Sequence, residues 1–245
     1  MRTANPALND RAFANLEAAP AGQVMTIAGT VNKTAILLGL LVVAASFTWR
    51  AVSGQGAGAL GPWLIGGMLG ALVISMVTIW KREWAPVTAP IYALCEGLLL
   101  GAISAVFESR YPGIAIQAVT ATFGTLACLL IAYRSGLIKP TENFKLGVIA
   151  ATGAICLVYL LSFVLRLFGV SMGFIHDAGP IGILVSVAIT VVAALNLVLD
   201  FDYIEAGAAR GAPRYMEWYA AFGLLVTLVW LYLEILRLLS KLRRK

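Results

Sequence analysis

Apolar residues do not alternate with polar ones along this chain; they run together in long blocks separated by short charged, Gly- or Pro-bearing stretches. A helix rising about 1.5 Å per residue needs about 20 apolar residues to cross a hydrocarbon layer about 30 Å thick. Seven blocks approach that length, near residues 34–49, 60–80, 91–107, 114–133, 146–168, 181–200 and 219–239. Backbone N–H and C=O groups find no partner in hydrocarbon, so runs of this length fold as helices and not as open strands. The connections at 53–58, 111–113, 169–180 and 207–213 carry the Gly and Pro residues that break helices. Trp49, Trp63, Trp80, Trp84, Tyr111, Tyr133, Trp218 and Tyr219 stand near the block ends, where amphipathic rings favour the headgroup region. The pattern predicts an all-α integral membrane protein: a polar tail over 1–33, one membrane domain over 34–240 and a basic tail over 241–245.

Composition sharpens this picture. Of 245 residues, 60% are hydrophobic and 12% charged, against about 25% charged in an ordinary globular domain. The net charge of +6 does not indicate a nucleic-acid partner, because the cations sit singly between apolar runs. It reads as topology. With the N-terminus inside, Arg2, Arg11, Lys33, Lys81, Arg82, Arg134, Lys139, Lys145, Arg210 and Arg214 fall on the inner side, and Arg50, Arg110 and Arg166 on the outer. That asymmetry predicts a cytoplasmic N-terminus. The tail cations Arg237, Lys241, Arg243, Arg244 and Lys245 oppose it; seven crossings put them outside, six and a re-entrant segment bring them in. Asp10 and Glu17 in the polar first stretch exclude a signal-peptide core there, so the first span does the targeting. Cys95, Cys128 and Cys156 lie inside apolar blocks and read as small packing residues.

Enzyme signatures are absent from the sequence. A single histidine, His176, rules out a histidine-rich metal site and sits beside Asp177 in a Gly-bearing connection, where it reads as a solvated loop residue. There is no phosphate-binding G-x-x-x-x-G-K-[ST] loop and no G-x-S-x-G elbow. The informative groups are carboxylates within spans, each costing about 2.5–3.5 kcal/mol at mid-bilayer unless partnered or hydrated. Glu96 opens a segment in which Gly97 and Gly101, four apart, offer a close helix contact; it is either a packing neighbour at a wet interface or a lining group of a polar cavity. Asn196, Asp200 and Tyr203 form a polar stripe at the end of the sixth block, followed by Asp202 and Glu205 on a solvated turn. Glu234 follows an uncharged run from Trp218, with Arg237 one turn on.

At these residues the chain resembles the Bax inhibitor-1 superfamily, the transmembrane Bax-inhibitor-motif proteins, and within it a bacterial branch. The likeness rests on YALCEGLLLGAISAVF from Tyr92, ALNLVLDFDYIE from Ala194, WYAAFGLLVTLVWLYLEILRLL from Trp218 and the Asn5-Pro6-Ala7-Leu8 start. It implies a seven-transmembrane-helix bundle with a central last helix in the bacterial cytoplasmic membrane. It also implies no catalytic activity, no cofactor and a pH-sensitive Ca²⁺ leak gated by two acids. By motif these are Asp200 and Glu234, which would double as a weak calcium site, with Lys81 or Arg82 as a basic partner of Asp200. The family's second acid is usually Asp, and its two acids stand closer in sequence. Contact here requires the sixth helix to run past Asp200, or residues 207–222 to lie on the surface so that the seventh helix begins near Gly223.

Carboxylate oxygens suit calcium, so the leading expectation is a passive cation leak whose partners are the lipid bilayer, calcium and protons. The rivals are a non-conducting interaction protein that modulates a membrane protease or a stress response, and a proton-coupled transporter. The charge asymmetry makes one prediction directly: a reporter inserted in the 136–143 connection reads as cytoplasmic, and an external reading overturns the orientation.

Overall fold

The computed structural model describes residues 24–55, 60–169 and 179–244. The Asn5–Leu8 motif, most of the 1–33 tail, and His176 with Asp177 lie outside them. Among the described residues seven helices are long and apolar enough to span a membrane: α1 (Ile27–Gln55), α2 (Leu60–Trp80), α3 (Ala85–Arg110), α4 (Ile114–Arg134), α5 (Glu142–Leu167), α6 (Pro180–Ala209) and α7 (Met216–Arg243). A short 3-10 turn, Arg82–Trp84, joins α2 to α3. The fold is the expected all-α membrane bundle.

Its helices overrun the apolar blocks at several ends. α1 begins at Ile27, inside the stretch read as tail, and α7 runs to Arg243, absorbing Lys241 and Arg243. α6 continues nine residues past Asp200 to Ala209, because nothing from Phe201 to Ala206 breaks a helix. The polar stripe therefore lies within α6, not at its end. Helix ends at a membrane surface are polar in composition yet still helical, which apolar run length alone does not register.

α7 is the centre of the bundle. Of the most apolar 18-residue stretch of each helix, 67% is buried in α7, against 17% in α2 and α5. It packs on α1, α3, α4 and α6, while α2 leans on α3 and α5 chiefly on α6. Phe222 on α7 meets Tyr92 of α3 edge-on, with ring centroids 4.8 Å apart. Tyr219, Phe222, Leu225 and Leu231 are fully enclosed.

The α3–α4 connection is short and chemically tied. Between α3 and α4, Gly113 takes the left-handed conformation (φ 81°) that its lack of a Cβ permits. The Glu108 carboxylate accepts from Gly113 N (2.6 Å) and Ala115 N (3.1 Å), satisfying donors that open α4. Cys95 packs with its sulfur against Gly70, while Cys128 and Cys156 lie on exposed helix faces and are not core-packing groups.

Small residues set the α1–α3 spacing. A Cβ built on Gly97 would lie 2.8 Å from Ala44 Cβ and 3.0 Å from Leu41 Cα; one on Gly101 would lie 2.8 Å from Ala45 Cα. Backbone cannot yield as a side-chain tip can, so Gly101→Ala should cost about 1–3 kcal/mol and Gly101→Leu should abolish folding in detergent. Leu98→Ala, on a half-buried position, should cost less than Gly101→Leu. Thermal melts of the purified variants check this; equal tolerance would mean that the contact is dispensable.

Candidate functional site

The polar stripe of α6 is buried. Asp200 has 0% exposure, and Asn196 and Tyr203 are buried with it. Asn196 Nδ2 donates to Thr152 Oγ1 of α5 (2.9 Å) and to Val192 O (2.8 Å). Glu234 on α7 is buried as well, and its carboxylate accepts from Tyr159 of α5 (2.9 Å), Trp230 Nε1 (3.2 Å) and Arg237 (2.8 Å). The same Arg237 also donates to the Tyr159 hydroxyl (2.5 Å). Glu96 is buried on α3, with Tyr92 as its hydrogen-bond partner one turn earlier.

Depth follows from helix rise. Measured from the bundle end where α1 begins, Asp200 lies about 13.5 Å in, nine residues before α6 ends. Glu96 lies about 16.5 Å in, eleven residues into α3, and Glu234 about 27 Å in, eighteen residues into α7. Asp200 and Glu96 thus share a level near the middle, and Glu234 sits toward the far end. The structure does not bring Asp200 and Glu234 into one calcium site. α6 does run past Asp200, but α7 starts at Met216 and not near Gly223, so the antiparallel pair carries its two acids at different heights. Among the described residues, no group of three or more His, Cys, Asp or Glu gathers as a metal site.

The two cations considered for Asp200 each meet an aromatic ring. Lys81 lies over the Trp84 ring (4.3 Å), and Arg82 over the Tyr219 ring of α7 (5.8 Å). Nearby, burial pushes the Tyr215 hydroxyl above its ordinary value, with Glu83 adding to the rise and Arg82 opposing it.

Asp202, read from sequence as a residue of a solvated turn, instead pairs with Lys145 of α5 (2.9 Å), a cation that is itself buried and that also meets Glu142 (3.3 Å). Glu205 accepts from Tyr133 of α4. A seam emerges along α5: Lys145, Thr152 and Tyr159, seven residues apart, bond to Asp202, Asn196 and Glu234 respectively. Seven residues are close to two helical turns, so the three share one face. That heptad of polar residues in an otherwise apolar helix was the sequence signal for the seam.

A second cluster, at the end where α1 begins, involves Glu217, which spacing arguments passed over. Its carboxylate accepts from Thr26 N and Thr26 Oγ1 (both 2.9 Å) and pairs with Lys33, and Met25 N donates to Ala212 O (2.6 Å). The segment before α1 is thereby strapped to the α6–α7 turn.

A central last helix and buried acids on α6 and α7 are the features that the sequence likeness implied. A family model described as Bax inhibitor 1 like matches residues 5–244. The chain belongs to the Bax inhibitor 1 like family. No match was found among curated proteins or among solved structures. For this Bax inhibitor 1 like protein the match spans every element described above, from the strap to the last turn of α7.

Glu217→Ala would strand the Lys33 ammonium and two Thr26 donors, so it should destabilise by about 3–5 kcal/mol. Glu217→Gln keeps an acceptor for Thr26 and should cost less. Thermal melts in detergent separate the two; a silent Glu217→Ala would mean that the strap carries no stability.

Proposed function

We propose that this protein is a passive, pH-sensitive cation leak for Ca²⁺ in which Asp200 is the proton-sensitive group and Glu234 holds the resting bundle closed. The observation that carries this reading is Asp200, wholly buried in the middle of a membrane-spanning helix. A carboxylate there is costly to retain for packing alone. A charge at that depth has to be paired or hydrated, and the protonated form does not.

Protons and calcium compete for the same oxygens. As pH rises, Asp200 ionises and draws water and cations toward its level in the bundle; as pH falls, protonation removes that attraction. Flux therefore rises with pH. Glu234 plays a different part, since Arg237 and Tyr159 hold its carboxylate and tie α7 to α5. Glu96, at the depth of Asp200, is a further polar group at the level a cation has to pass. No catalytic step enters this reading, and Asp200 and Glu234 act at separate depths instead of sharing one proton.

Calcium flux into liposomes carrying the purified protein tests it. One titrating carboxyl changes flux by at most about tenfold per pH unit, and Asp200→Asn should remove most of that dependence. Tyr159→Phe alters no carboxylate; it should raise flux at every pH while preserving the response. Wild-type vesicles without protein-dependent flux at any pH would overturn the leak and favour the interaction protein that modulates a membrane protease or stress response.

A further inference from the structure

A cavity between α1 and α4 takes no part in the polar seam. It has a volume of about 610 Å³ and opens between α1 and α4, with α3 and α7 as its floor. Its walls are almost wholly apolar; Val42, Ile116 and Val119 line it. The polar side chains deeper in it are accounted for within the protein: Ser104 bonds Tyr232 (2.7 Å) and Thr122 bonds Ala118 O (2.7 Å). An apolar concavity of this size falls in the range of ligand sites.

Its length and its mouth identify the ligand. Along α1 the groove runs from Leu38 to Arg50, twelve residues or about 18 Å. One leaflet of a hydrocarbon core about 30 Å thick measures about 15 Å. Trp49 and Arg50 lie at one end of this run, two turns or less from the end of α1, where an indole and a guanidinium suit the headgroup level. The groove thus spans one leaflet, with a cation at the interface and an apolar trough beneath it.

We infer that the groove between α1 and α4 is a lipid site, which takes one acyl chain of an anionic phospholipid with the phosphate-bearing head against Arg50. The chain lies along Val42 and Val119, and α3 and α7 separate it from the polar seam of α5. Burying each methylene against protein gains little over the bilayer. Selectivity therefore comes from the head, and one basic side chain near an anionic surface contributes about 1 kcal/mol, a preference of about fivefold over a zwitterionic lipid.

Native mass spectrometry of the full chain in detergent, titrated with phosphatidylglycerol, phosphatidylcholine, myristate or glycerophosphoglycerol, tests this. One phosphatidylglycerol should be retained per chain, about fivefold more than phosphatidylcholine, and the head fragment alone should not be retained. Arg50→Gln should make the two lipids equal. Val119→Trp should displace both, with helix content by circular dichroism confirming the fold; Val42→Trp, at a half-exposed rim position, is the second plug should the first not fold. Myristate retained in preference to phospholipid would assign the groove to free fatty acids and overturn the headgroup role. Absence of any saturable lipid, or unchanged retention in both plugged variants, would overturn the site and leave the groove to a segment of the chain itself.

Discussion

Hydrocarbon offers no hydrogen bonds, so a polar side chain placed in the interior of this bundle has to be satisfied by another part of the protein. The arrangement of α7 follows from that constraint. It carries Glu217, Tyr232, Glu234 and Lys241, all of them far too polar for a lipid-facing helix, and it is the helix that the others surround. Each group then finds a partner on a different neighbour: Lys33 and Thr26 before and on α1, Ser104 on α3, Tyr159 on α5, and Gly182 O with Ser186 on α6. The polar inventory of one helix thus fixes which elements stand around it.

The same constraint explains the basic end of α7. Cations at that end count against the positive-inside asymmetry when they are treated as a free tail. Lys241 is instead buried against α6, donating to Gly182 O (3.0 Å) and Ser186 Oγ (2.7 Å), and Arg243 donates to Pro112 O (2.7 Å) and Gln117 (2.8 Å) at the α3–α4 turn. These charges fasten helix ends to one another. A charge already committed to a carbonyl and a hydroxyl is a poor vote on topology, and the asymmetry is better judged from the connections.

Sequence made the spans and the buried acids legible because both are extreme signals: blocks of about 20 apolar residues, and carboxylates where almost none is tolerated. Glu96 and Glu234 are buried within their spans as the pattern had them, and Asn196, Asp200 and Tyr203, read as the end of a block, are buried as well. Their surroundings were harder to read. Lys33, Tyr159 and Thr26 become partners only through packing between helices distant in sequence, and Tyr or Thr in an apolar run is unremarkable by itself. The separation of Asp200 from Glu234 turned on where α7 starts. Tyr215 to Trp218 carries one carboxylate and the Gly207–Pro213 breakers precede it, so composition allowed a surface segment; the Glu217 strap is what makes it helix.

α5 shows how polar contacts place a peripheral helix. It packs chiefly on α6, and much of its apolar surface faces outward. In lipid, apolar packing drives association weakly, because acyl chains solvate leucine as well as protein does. What registers α5 is its polar seam, Lys145 to Asp202, Thr152 to Asn196 and Tyr159 to Glu234. Hydrogen bonds between spanning helices average about 0.6 kcal/mol each, so the three together contribute about 2 kcal/mol to holding α5 in register. Two of the three bonds end on carboxylates, Asp202 and Glu234. The seam thus places α5 against both α6 and α7 without requiring the two deep acids, Asp200 and Glu234, ever to meet.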